Sequence, residues 1–183
     1  ETLDKRDQVF TYNVKTSVAQ DATAFSVTDK IEDVLEFAGK SSATLNGQAL
    51  EASQIKVEGQ TITLTLTEDQ VKANGGQAVE LTFDAKIKAG ANLSAYVKED
   101  GRTQIPNKAS YDASFPHKPG VHKDSNEVPV TPPTPDDPEI KKDVNTKAEE
   151  TLADRDQIFT YNVKTSVPTD VSSFSVSDTL ESV

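Results

Sequence analysis

VFTYNVKTSV, residues 9–18, alternates: Phe10, Tyr12 and Val14 stand between Thr11, Asn13 and Lys15. An apolar–polar period of two is what a β-strand needs when one face meets a core and the other meets water. Residues 24–28 repeat the pattern, with Phe25 and Val27 against Ser26 and Thr28. Further strand-like runs lie at 43–45, 55–57, 61–67, 79–87, 93–98, 105–115 and 127–131, with a weaker segment at 35–38. Asn46–Gly47 is a strong hairpin signal. Thr67 with Gln70 three residues on reads as a capping box, and Gly75 as the end of one short helix. With no long helical pattern, the expectation is an all-β chain, an antiparallel immunoglobulin-like sandwich, with a barrel as the competing closure.

The first stretch also recurs. Residues 150–183 match residues 1–34 without a gap, at an offset of 149, and 22 of the 34 positions are identical. Such self-similarity decides domain organisation before any other feature. A unit of this length is an ordinary domain, too long for a solenoid repeat. Between the copies, 128–139 reads VPVTPPTPDDPE. Prolines at that density exclude a central strand and favour an extended, semi-rigid spacer. The expected division is a sandwich repeat over 1–131, a linker over 132–138, and the opening of a second copy over 139–183. The chain begins inside a repeat and reads as a piece of something longer.

Composition narrows the function classes. Nineteen basic residues stand against 30 acidic ones, for a formal charge of -11. No basic cluster offers a face to nucleic acid or anionic lipid. The absence of Cys excludes disulfides, thiol catalysis and cysteine metal sites. No apolar run is long enough to cross a bilayer as a helix. No phosphate loop, dinucleotide fingerprint or nucleophile elbow is present. His117 and His122 flank a Pro119–Gly120 turn and read as surface residues; Asp136 and Asp137, in the linker, read as solvated charge. No cofactor or metal is expected.

One acid stands out. Asp29 shares its parity with Phe25, Val27 and Ile31, and Asp178 is its counterpart in the second copy. Alternation turns Asp29 toward the apolar side, where a carboxylate must be paired, hydrogen-bonded or protonated. A strand break that turns it outward is the other outcome. Lys141 and Lys142 lie in PEIKKDVN, on the opening strand of the second copy. Asn107 lies in IPNKASYDASF, and Asn126 in DSNEVPVTPP opens the last strand.

The order EIKK, FTYNVKTSVP, FSVSDTL, closed by NKASYDASF and SNEVPVTPP, resembles the isopeptide-forming repeat domains of Gram-positive surface adhesins and pilus subunits. That resemblance implies an immunoglobulin-like fold of the collagen-adhesin type. It also implies a first-strand lysine condensed with a last-strand asparagine, promoted by a buried acid. By position, Asp29 and Asp178 would be the promoting acids, Lys141 or Lys142 the lysine of the second unit, and Asn126 the asparagine of the first, with Asn107 as runner-up. The first unit's lysine would precede Glu1, since neither Lys5 nor Lys15 sits at the equivalent place. The implied role is a stalk or spacer between a binding head and a cell-wall anchor, with neighbouring repeats as partners and a host ligand met through the parent protein. The alternative is a module that itself binds a host glycoprotein or glycan. No enzymatic turnover is expected.

Overall fold

The computed structural model describes residues 1–134, 138–168, 171 and 173–181. It divides into two compact units, Glu1–Pro133 and Thr134–Val183. Part of the proline-rich stretch, including Asp136 and Asp137, lies outside the described residues.

In the first unit the alternating runs become strands of two antiparallel sheets. One sheet holds β1 (Phe10–Ser17), β7 (Ala78–Ile87), β3 (Leu35–Leu45) and β4 (Gln48–Ala49), in that spatial order. The other holds β5 (Ile55–Glu58), β6 (Thr61–Thr65), β2 (Ala24–Lys30), β8 (Ala109–Ser114) and β9 (Val121–Asp124). Each sheet turns its apolar parity inward. Phe10 and Tyr12, Phe25 and Val27, Leu81 and Phe83, and Ile62 and Leu64 meet in one buried cluster. This is an antiparallel immunoglobulin-like sandwich.

Local chemistry sets the connections. Asn46 and Gly47 both take positive φ, 49° and 75°, which suits a two-residue turn that follows the twist of its flanking strands. Thr67 accepts from the Gln70 backbone N–H at 3.2 Å, and the Gln70 side chain accepts from the Thr67 N–H at 2.8 Å. This box opens α1 (Glu68–Ala73), whose Val71 is buried under the sandwich.

Three expectations change. The segments expected at 35–38 and 43–45 are one strand, β3, interrupted by a register shift between Phe37 and Ser41 around Gly39 at φ 86°. A glycine bulge keeps both halves paired to β7, so the polar residues between them do not end the strand. Residues 94–96 form a 3-10 turn rather than a strand. At 127–131 the backbone bonds to Ile105 and Asn107 through local bridges, without a long ladder.

The Thr134–Val183 unit contains a two-stranded antiparallel sheet, β10 (Ile140–Val144) with β11 (Tyr161–Thr165), and Lys142 stands opposite Val163. Its apolar residues are open: Phe159, Phe174 and Val176 are exposed, whereas their counterparts Phe10, Phe25 and Val27 are buried.

Candidate functional site: a buried acid and amide beside a strand edge

β2 carries Asp29 inward together with Phe25 and Val27, and only 1% of its surface is exposed. Residues 105–109 carry Asn107 inward between Ile105 and Ala109, so Asn107 is 5% exposed. The Asn107 backbone bonds to Val128 in both directions, at 3.0 Å each way, and this fixes the side chain's direction. The two buried polar groups meet: Asn107 Nδ2 donates to Asp29 Oδ2 at 2.9 Å. Asp29 and Asn107 are the sole polar or charged residues among the buried described residues.

Tyr12 lies on the neighbouring inner face of β1. Its ring stands 5.4 Å from Phe10, edge-on, and 5.4 Å from Phe83. Its hydroxyl finds no hydrogen-bond partner among the described residues, and neither do Asp29 Oδ1 and Asn107 Oδ1. Three buried oxygens without partners is a costly arrangement, since each forfeits its hydration. Burial pushes the Asp29 carboxyl up to about 6, opposed by the Asn107 hydrogen bond. Burial also raises the Tyr12 phenol, with Asp29 and Glu32 adding to it.

A cleft of about 370 Å³ borders this group. It is walled by β1 from Phe10 to Lys15 on one side and by Ser125 to Val130 on the other, with Asp29 and Asn107 at its lining. Among the described strands β1 pairs only with β7, so its other edge faces the cleft with free backbone groups.

Asn126 is exposed at the cleft wall, and the amide hydrogen-bonded to Asp29 is Asn107. In the second unit Lys142 Nζ donates to Asp178 Oδ1 at 2.9 Å and lies 4.1 Å from the centre of the Tyr161 ring. Lys141 points elsewhere, to Glu139 at 3.0 Å. Lys15 pairs with Glu80 at 3.3 Å on the outer surface. His117 is exposed; His122 bridges Asp112 at 2.8 Å and Asp124 at 3.2 Å, tying β9 to β8 on the surface. No group of three metal-ligating side chains occurs among the described residues.

Alternation also marks Asn107. Ile105, Asn107 and Ala109 share one parity, as Phe25, Val27 and Asp29 do. Asn126 likewise shares its parity with Val128 and Val130, but Val128 is exposed and so is Asn126 itself.

No protein-family model matches the chain. Platelet adherence protein A of Streptococcus gordonii is 64% identical over 183 residues, all of this chain but 5% of that protein. Among solved structures, the major pilin subunit BcpA of Bacillus cereus superposes with a TM-score of 0.60 at 22% identity, over 77% of this chain and 38% of the pilin. Domains D2 and D3 of the major pilin SpaD of Corynebacterium diphtheriae give 0.54 at 21%, over 76% of this chain and 50% of theirs. The N-terminal domain of the Streptococcus gordonii adhesin Sgo0707 gives 0.55 at 18%, over 71% of this chain and 30% of that one. The chain thus carries the antiparallel immunoglobulin-like fold of Gram-positive pilin and adhesin domains, and it is homologous to a segment of a streptococcal adhesin.

Proposed function

We propose that this chain is a stalk or spacer repeat of a bacterial surface adhesin, and that each complete unit closes itself with a lysine–asparagine isopeptide bond. In the first unit the asparagine is Asn107 and the promoting acid is Asp29. The lysine is the counterpart of Lys142, on a strand that adds to the free edge of β1. The observation that carries this reading is the trio of unpartnered buried oxygens, on Tyr12, Asp29 and Asn107. Tyr12, Asp29 and Asn107 all line the cleft that an incoming amine would enter. The second unit supports it: Lys142 already reaches Asp178 and the ring of Tyr161, the counterparts of Asp29 and Tyr12.

The chemistry follows from burial. A lysine taken out of water becomes less basic, while the buried Asp29 carboxyl holds its proton more readily. The Asp29 carboxylate accepts a proton from the ammonium and leaves a neutral amine. Its Nζ attacks Cγ of Asn107. The Nζ–Cγ bond forms, the Cγ–Nδ2 bond breaks, Asp29 passes its proton to the departing nitrogen, which leaves as ammonia, and the Asp29 carboxylate then takes the second Nζ proton, so the new amide keeps one N–H. Nδ2 is the atom already hydrogen-bonded to Asp29, so the leaving group sits beside its acid. Held geometry replaces the entropy of encounter. The reaction runs once per unit and leaves a bond between the first strand and the last segment, which restricts the unfolded chain as a disulfide would. Such a unit suits a load-bearing spacer outside the cell, with platelet or other host contacts made by other parts of the parent adhesin.

The test is the intact mass of a longer polypeptide that includes the segment upstream of Glu1 through the counterpart of Lys142. Loss of ammonia lowers the mass by about 17 Da. Asp29→Ala and Asn107→Ala should each restore the full mass, and Asn126→Ala should not. A full mass in the unsubstituted protein, or a loss indifferent to Asp29→Ala, contradicts the proposal.

A further inference from the structure

β5 is an outer strand of the sheet that does not contain β1, and among the described strands it pairs only with β6. Its register sets Lys56 opposite Thr63, Val57 opposite Ile62 and Glu58 opposite Thr61, and the two-residue turn Gly59–Gln60 closes the hairpin with Gly59 at φ 57°. The residues that close a two-residue hairpin turn exchange backbone hydrogen bonds, and along an antiparallel strand such pairs alternate with pairs that exchange none. Glu58 and Lys56 therefore turn their backbone groups to β6, and Val57 and Ile55 turn theirs away from it. Ile55 agrees with this phase, since its N–H goes to Ala52 O. Val57 thus presents one N–H and one C=O at the open edge. Its side chain, opposite the buried Ile62, is 47% exposed. Lys56 and Glu58 stand together on the outer face, 2.8 Å apart and both exposed.

From the phase of this edge and its charges we infer that β5 pairs with β5 of a second copy of the chain, antiparallel about a two-fold axis at Val57. In that register Val57 faces Val57 of the second copy, and the two exchange N–H···O bonds through the groups that each turns outward. Lys56 then faces Glu58 of the second copy, and Glu58 faces its Lys56. These are the pairs without backbone bonds between them, where side chains across an antiparallel ladder come closest. The four side chains alternate in sign on the outer face. Competing registers are worse. A slip of two residues sets Lys56 against Lys56 or Glu58 against Glu58, and a slip of one turns the side chains to the wrong faces. Charge at an open edge commonly repels other strands, but here it selects one partner and one register. The chain carries a formal charge of -11, which holds copies apart in general, whereas this edge offers one Lys and one Glu and is neutral. The contact joins two five-stranded sheets edge to edge. Because the same strand serves both sides, it closes as a dimer and does not run on into a fibre. A contact of four residues a side belongs with weak, transient encounters. None of this depends on the isopeptide reading.

The experiment uses the 183-residue chain and two variants at exposed positions, Lys56→Glu and Glu58→Lys. Sedimentation over a rising concentration series should show the unsubstituted monomer giving way to a dimer. In the same series the Val57 amide should exchange with deuterium more slowly as concentration rises. Lys56→Glu leaves two acidic side chains on the edge, and Glu58→Lys leaves two basic ones. Each variant alone should lose the dimer. Their equimolar mixture should regain it as mixed pairs, because an acidic edge then faces a basic one. Both variants stay strongly acidic overall, so general attraction between them does not supply the result. An unsubstituted chain that stays monomeric at every concentration overturns the inference. So does a dimer that persists in Lys56→Glu, since it then forms through another surface, and so does a mixture no more associated than its two components.

Discussion

Asp29 is held in the fold at a cost that its chemistry would explain. Its native carboxyl keeps a proton up to about pH 6, against an ordinary value of 3.8. Between those values the native state binds more protons than the unfolded state, so this group's contribution to stability falls as pH rises through that window and stays low above it. A shift of about two pKa units corresponds to roughly 3 kcal/mol, taken as an upper figure. Asp29→Asn removes the ionisation and keeps the shape. Its melting temperature should match that of the unsubstituted chain near pH 4 and exceed it near pH 7, by the equivalent of about 1–3 kcal/mol. A difference that is the same at both pH values would show that Asp29 ionises as freely as a surface acid. The sequence carries the parity that turns Asp29 inward, because β2 is regular across Phe25, Val27 and Asp29. The partner is harder to read. Asn107 lies ahead of β8, next to Pro106, on a segment whose pairing with Val128 and Val130 comes from residues far along the chain. Nothing local distinguishes that contact from one made by Asn126.

At the scale of elements, what is written locally is legible and what depends on distant pairing is not. The Asn46–Gly47 turn and the Thr67–Gln70 box are short-range signals, and both form as their residues demand. The box should be worth a measurable amount, because α1 has only six residues and little else to hold its first turn. Thr67→Ala should cost about 1 kcal/mol, read from denaturant unfolding of the first unit with an unchanged slope. A loss below a few tenths would mean that burial of Val71 alone holds the helix. The long β3, by contrast, looks broken in sequence, because AGKSS has no alternation. It is β7 that carries it across the gap, with partners for Leu35 to Phe37 and again for Ser41 to Leu45. The 3-10 turn at Ser94–Tyr96 has a comparable origin. Tyr96 donates its hydroxyl to Glu32 at 2.8 Å, a contact 64 residues away in sequence that overrides a strand-like local pattern.

Across the molecule, the repeat links the two units. It places Asp178 and Tyr161 in correspondence with Asp29 and Tyr12. Lys142 is within reach of Asp178 and Tyr161, and Asp29 is beside Asn107. The proposed cross-link reads these two sets of contacts as halves of one kind of site. The same logic explains the exposed Phe159, Phe174 and Val176: their counterparts are buried by strands such as β7 and β8, which in the first unit come after the matched segment. The most direct measurement is peptide mapping of the polypeptide extended upstream of Glu1. After proteolysis, mass spectrometry should find a branched peptide in which the counterpart of Lys142 is joined through its Nζ to the side chain of Asn107, and that peptide should be absent from the Asp29→Ala protein. Linear peptides alone, with the Asn107 carboxamide intact in the unsubstituted protein, would contradict the self-closing of the domain.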